Sequence, residues 1–337
     1  MKTTKVKRCQ TQTPKMGKAV VFAAIVATLT AGQALASAGA KRPATVPADY
    51  VITPFGYFHP SCVNHLAKGD ILLKDEKAIQ HANGNSDKIP ECTYPHYEAD
   101  GEEAIGDGPT GNPPSIGHSW VEYVSATTTT SYGALFVTWI VPPPPKNDDG
   151  QTLYFFPGLE QDEKDVTILQ PVLGWNADFD SAWGIASWNC CVNGAVNESL
   201  PLPVNSGDEI SGHIGNNCGP PPHAKETCPS WAVSATDYTI ELLDGISYES
   251  GLTETSNYGQ TFNWAFSGVM EVYNIAQCGD YPSSTRLLFD EVSLLNYKFV
   301  LVNNPHWSGT VVSGLSPQCG YGAGPRTQTT LDFSPID

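Results

Sequence analysis

From Ser119 onward the chain is a succession of short apolar runs rich in Val, Ile, Thr and aromatic residues, and this pattern limits its folds more than any other feature. The runs include "ALFVTWIVP", "TLYFFPGL", "VTILQPVLGW", "SAWGIASWNCC", "DEISGHI", "WAVSATDYTIELL", "TFNWAFSGVMEVYNI", "STRLLFDEVSL" and "YKFVLVN". Turn signals such as "NDDG", "NSGD" and "NNCGPPP" separate them, as expected of strands joined by tight connections. No stretch carries a convincing helical period and there is no internal repeat. The expected architecture is all-β: a two-sheet antiparallel sandwich or jelly roll. At 337 residues the chain is long enough to bury a sizeable core.

The first part of the chain reads differently. A basic leader, Met1 to Lys18, precedes the apolar stretch "AVVFAAIVATLTAG" and the small-residue pattern "ALA" at Ala34 to Ala36. This is the layout of a secretory signal peptide over residues 1–36, so the protein is expected outside the cell or in the periplasm. Residues 37–117 read as a prosegment ending in the acidic, Gly- and Pro-rich linker "HYEADGEEAIGDGPTGNPPSIG", or equally as a permanently attached small domain. Residues 118–337 form the sandwich. Without the six basic residues of the leader the chain keeps 12 Lys and Arg against 35 Asp and Glu, a formal charge of −23. Nucleic acid and anionic membrane surfaces are poor partners for such a surface.

Of nine cysteines, Cys9 lies in the leader and eight remain: Cys62, Cys92, Cys190, Cys191, Cys218, Cys228, Cys278 and Cys319. An even number in an exported chain reads as disulfides, with the connectivity open. A competing zinc reading draws on the five-residue spacing of His213, Cys218, His223 and Cys228. Short CxxC turns are missing from that loop and an oxidising compartment removes thiols, so neither a metal nor any other cofactor is expected.

Signatures of nucleophilic catalysis are weak. "GHSWV" at Gly117 to Val121 starts like a lipase elbow but lacks the final Gly, and the eight histidines lie mostly in the N-terminal region or in loops. The conspicuous residues are two polar side chains inside apolar runs, Gln170 in "TILQPVL" and Glu271 in "SGVMEVYNI". A desolvated carboxylate gains the pKa of a general base, and an amide helps position a water and stabilise an oxyanion without adding charge. Taken one at a time, each reads more readily as a strand-edge residue facing solvent.

In order, the blocks "ALFVTWIVPPPP", "YFFPGLEQ", "TILQPVLGWN", "SAWGIASW", "LPVNSGDEISGHI" and "SGVMEVYNI" resemble those of the eqolisin glutamic peptidases, a resemblance that covers roughly residues 134–304. The first part, "TPFGYFHPSCV", is similar to the N-terminal regions of the wider neprosin-like group. The resemblance implies a jelly-roll-like sandwich with catalytic Gln170 and Glu271 facing each other across a concave surface. It also implies a propeptide removed in acid and a secreted acid endopeptidase acting as a monomer on proteins or peptides. By the same resemblance Trp139 and Trp183 match family tryptophans and, with Trp188 and Glu160, line the substrate site. Phe156, Glu160 and Gln161 replace expected residues in "FPGLEQ", "WGIASWNCC" lacks the block's Glu, and Val272 stands where a Trp is usual. Acid release is expected to act through the carboxylates Glu98, Asp100, Glu102, Glu103 and Asp107. The alternatives are a carbohydrate-binding jelly roll using Trp175, Trp183 and Trp188 as exposed platforms, or a catalytically dead scaffold. Asn197 in "NES" is a glycosylation sequon if a eukaryotic pathway makes the protein.

Overall fold

Two twisted sheets packed face to face take up nearly all the apolar runs. The computed structural model describes residues 42–73, 77–104, 119–161, 167–191, 194–244, 247–255, 261–325 and 328–336. The expected signal peptide, the end of the acidic linker with Asp107, and the start of "GHSWV" lie outside these residues.

The first sheet runs, in spatial order, Ser308–Val311 (β19), Trp120–Thr127 (β7), Trp264–Tyr273 (β17), Thr152–Glu160 (β9), Ile168–Trp175 (β10), Trp183–Cys190 (β11), Val196–Ser199 (β12) and Val63–Leu66 (β3). Leu202–Val204 (β13) also pairs with β11. The second runs Gly322–Pro325 (β20), Thr329–Asp332 (β21), Arg286–Asn296 (β18), Tyr132–Ile140 (β8), Glu209–Asn216 (β14), Ser230–Asp237 (β15) and Glu249–Thr255 (β16). It continues into Ile71–Leu73 (β4), Ala78–Gln80 (β5) and Ser86–Lys88 (β6). Val51–Thr53 (β1) and Gly56–Phe58 (β2) form a separate hairpin.

The described pairings are antiparallel except two: β3 lies parallel to β12 and β4 parallel to β16. Both exceptions are made by the N-terminal segment, whose strands extend an edge of each sheet. The segment is thus built into the sandwich, not appended to it. One run departs from expectation: "WAVSATDYTIELL" gives β15 and then the helix Tyr238–Asp244 (α1). Asp237 caps this turn by accepting the Ile240 amide at 3.1 Å.

Strands β9, β10 and β11 are buried on both faces. Their inner-face residues, among them Leu153, Phe155, Leu159, Leu169, Leu173, Trp175, Trp183 and Ile185, pack against Leu135, Val137, Trp139, Ile210, Ile214 and Phe289 of the second sheet. Trp139 lies in the middle of this layer, its ring 5.6 Å from that of Phe289. A Cβ at Gly212 would stand 2.8 Å from the Trp139 ring and 2.8 Å from Pro171, so the glycine of "SGHI" is what lets the indole lie flat between the sheets. Trp139→Ala is expected to cost about 3–5 kcal/mol, read as a lowered denaturation midpoint with unchanged slope.

Four disulfides close the fold: Cys62–Cys92, Cys190–Cys191, Cys218–Cys228 and Cys278–Cys319. Cys218 and Cys228 are consumed by their bond, which leaves no thiolate there for zinc. The first disulfide lies wholly within the N-terminal segment and the others wholly beyond residue 119, so none ties the segment to the sandwich.

Candidate active site

The outer face of the first sheet carries the polar residues of interest. Directly opposed residues of an antiparallel pair share a face, and alternate residues along a strand return to it. Gln170 pairs with Trp188 on β11, and Trp188 with Glu198 on β12. On β9 the same face carries Tyr154, Phe156, Gly158 and Glu160, and on β17 Val269, Glu271 and Tyr273. Gln170 and Glu271 therefore do share one face.

They do not meet. The β9–β10 register, 168 with 160 and 173 with 155, sets Gln170 opposite Gly158, whereas Glu271 stands opposite Tyr154. Four residues along the strand and two strand spacings leave their Cα atoms roughly 16 Å apart. The position across β9 from Gln170 is filled by Phe266, which pairs with Gly158. Glu160 is closer, a diagonal neighbour at roughly 7–8 Å.

The tryptophans divide between the faces. Trp188 lies on the outer face beside Gln170. Trp139 and Trp183 belong to the layer between the sheets and take no part in this face, because strand parity turns them inward. Trp175, Trp183 and Trp188 are each under 5% exposed. With the segment in place they offer no open platform for a sugar ring.

This face is not open to solvent. The N-terminal segment lies over it, packing Val46, Tyr50, Phe55, Tyr57, Phe58 and Cys62 against Tyr154, Phe156, Val172, Ala186, Trp188, Phe266 and Tyr273. The ring of Phe55 stands edge-on to Trp188 at 6.3 Å, and that of Tyr57 edge-on to Tyr273 at 5.6 Å. Tyr154 donates its hydroxyl to the Ile52 carbonyl at 3.2 Å, and Tyr57 donates to Asn274 Oδ1 at 2.9 Å. Asn64 Nδ2 donates to Asn197 Oδ1 at 3.0 Å. Asn197 is fully buried, so its sequon is closed to a glycan in the folded chain.

Beneath the segment the electrostatics are unusual. Gln170 is fully buried and, among the described residues, neither Oε1 nor Nε2 has a hydrogen-bond partner. Burial pushes the Glu271 carboxyl up to about 8; Tyr273, Ser119 and Trp120 pull the other way, and Glu98 adds to the rise. The Tyr273 hydroxyl donates to Glu271 Oε1 at 2.6 Å, while Oε2 lacks a well-formed bond. Burial also raises Glu198 to about 8, moderated by its hydrogen bond with Asp178. Asp178 sits on the exposed loop after β10 yet turns its carboxyl toward Glu198, and burial first, then the Glu198 charge, bring it to about 8 as well. His65 of β3 reaches Glu198 at 3.1 Å.

Of the carboxylates expected to release the segment in acid, Glu98 is half-buried and its charge reaches Glu271, and Asp107 lies outside the described residues. Asp100, Glu102 and Glu103 are exposed, and exposed charges contribute little. Signals for the covered face were present in "TPFGYFHPSCV", whose four aromatic rings are more than an exposed linker needs.

No family model matches the chain, and no curated protein matches its sequence. Among solved structures, scytalido-glutamic peptidase bound to a transition-state analogue inhibitor overlaps 64% of this chain and 98% of its own at 13% identity and a TM-score of 0.44. SCP-B, a member of the eqolisin family of peptidases in complex with the tripeptide Ala-Ile-His, overlaps 64% and 97% at 14% identity and a TM-score of 0.42. The CBM2 module of an evolved Dit from Lactobacillus casei BL23 phage J-1 overlaps 45% and 69% at 10% identity and a TM-score of 0.24. Superpositions this loose bear on neither the sandwich, which rests on the strand pairings, nor the chemistry of its face.

Proposed function

We propose that the protein is the covered precursor of a secreted peptidase whose outer sheet face hydrolyses peptide bonds with an amide and a carboxylate. The observation that carries this reading is Gln170: a fully buried side-chain amide with both polar atoms unpaired among the described residues, close to carboxyl groups and covered by the N-terminal segment. A fold bears such a cost of about 1–3 kcal/mol where the group serves a purpose other than stability. Four disulfides suit an oxidising compartment, and no described helix is long and apolar enough to cross a membrane.

Once the segment leaves, water returns to the face and its carboxyls fall back toward their ordinary range, ionised in mildly acidic solution. A carboxylate then takes a proton from water, whose oxygen attacks the scissile carbonyl carbon. The Gln170 N–H groups stabilise the oxyanion; the C–N bond breaks as the carboxyl returns the proton to the leaving amine. Register favours Glu160 as the base at Gln170, with Glu271 the alternative.

The test is digestion of a denatured protein between pH 3 and 7 by the chain cut between residues 104 and 119. Chelators and serine-protease reagents serve as controls. Gln170→Ala is expected to lose 10²- to 10³-fold of activity. Loss in Glu160→Gln with activity kept in Glu271→Gln assigns the base to Glu160; the reverse assigns it to Glu271. Undiminished digestion by Gln170→Ala, or none at any pH by the cut wild type, overturns the reading.

A further inference from the structure

The N-terminal segment does more than cover the sheet; it fills it in a particular way. Phe55 lies at the tip of the two-residue turn joining β1 and β2, where Thr53 pairs with Gly56. The Thr53 hydroxyl accepts the Phe55 amide at 3.2 Å and donates to the Gly56 carbonyl at 3.1 Å, which fixes the turn. Gly56 has φ +115°, and a Cβ there would stand 2.4 Å from the Tyr97 carbonyl oxygen, so only glycine permits the tip. Thr53 and Gly56, on either side of the turn, specify this geometry, and its result is one aromatic ring directed into the face.

That ring arrives next to Gln170. Trp188, which Phe55 meets edge-on, is the direct cross-strand neighbour of Gln170. Val172 and Ala186, opposite each other one step along the same face, and Phe156 complete the apolar surroundings. Around it the segment offers what a bound peptide offers: the Ile52 carbonyl to the Tyr154 hydroxyl and a strand, β3, along the edge of β12. No disulfide joins the segment to the sandwich; strand pairing, hydrogen bonds and the covered apolar face hold it there.

We propose that Phe55 occupies the principal side-chain pocket of a peptide-binding groove, and that the opened chain selects extended peptides carrying an aromatic residue at that position. The inference rests on reading the face as a peptide-hydrolysing site. Trp188 is then a specificity-determining residue, and the edge of β12 takes the backbone of the bound peptide in place of β3 by strand addition.

A chain whose linker between residues 104 and 119 carries a site-specific protease sequence, cut and freed of its segment, tests this. Cleavage sites in a denatured protein mixture are expected to show at least a ten-fold enrichment of Phe, Tyr and Trp at one fixed position. Trp188→Ala is expected to reduce that enrichment about ten-fold while cleavage elsewhere continues. Should Trp188→Ala lose its cooperative melt, Trp188→Leu keeps the bulk and removes the aromatic edge. Cleavage without aromatic enrichment, or enrichment indifferent to Trp188, overturns the inference and leaves the peptidase reading intact. If the cut chain cleaves nothing, the peptidase reading fails and calorimetry decides the pocket. Binding of N-acetyl-phenylalaninamide at least ten-fold tighter than N-acetyl-alaninamide supports it, and equal binding overturns it.

Discussion

Replacing Gln170 by Leu is expected to stabilise the covered chain by about 1–3 kcal/mol while lowering peptide hydrolysis by the opened chain 10²- to 10³-fold. The two effects have one cause. In the covered chain the amide has lost its water and gained no partner, whereas Leu, of similar size, belongs among Ile168, Val172, Phe156 and Trp188. In the opened chain the same amide supplies the only neutral donor paired across the sheet with Trp188, and Leu supplies none. Urea denaturation of the full chain reads the first effect, and digestion by the cut chain the second. A variant that loses stability, or that gains it and keeps its activity, would mean that Gln170 is an ordinary core residue.

Covered-chain stability is expected to fall as pH rises from about 5 to 9. Glu271, Glu198, Asp178 and Glu122, the last a buried carboxyl at the far side of the first sheet, each have a folded pKa raised to about 8. A carboxyl raised in this way contributes stability that is fully present below its ordinary pKa and lost as pH climbs through the folded value. Glu271, Glu198 and Glu122, each buried, add up to about 1.4 kcal/mol apiece per pH unit in that window, whereas Asp178, exposed on its loop, is screened by solvent and adds less. His96 has the opposite sign: burial against Phe58 lowers it to about 4, so the stability it contributes above its ordinary pKa is lost as pH falls through that value. Melting temperature should therefore peak in mildly acidic solution and decline on both sides. Glu271→Gln removes one titration and should flatten the alkaline limb. An unchanged limb would place the stability loss elsewhere. Protonation of His96 and not of the exposed linker carboxylates is then the acid-side route to loosening the segment.

Most of the strands were legible because β-branched and aromatic runs punctuated by Asn, Asp, Gly and Pro leave little else for the chain to do. What could not be read was which face each residue takes. The run "TILQPVLGW" is apolar at nearly every position because β10 is buried on both sides, so alternation, the usual key to strand parity, is absent. The resemblance alone places Trp183 and Trp139 at the site; they lie instead between the sheets. Gln170 and Glu271 stood out by being polar in such runs, and both reach the expected face. Their offset depends on the pairing register through β9, which no local pattern encodes. The helix at Tyr238 was hidden for another reason: seven residues are fewer than two full turns, and Asp237 as its cap follows directly on a strand ending.

The parallel pairings of β3 with β12 and β4 with β16 have a consequence for solubility. Each covers the edge of a long sheet, and an uncovered edge is a template for a neighbour's backbone. Releasing the segment exposes both edges at once, together with the apolar face under Phe55 and Tyr57. The acidic charge of the sandwich is then what holds one opened molecule away from the next, and it fades in strong acid. If the segment is released as proposed, the edge strands it supplies keep the covered chain dispersed at concentrations at which the opened form would stack into aggregates.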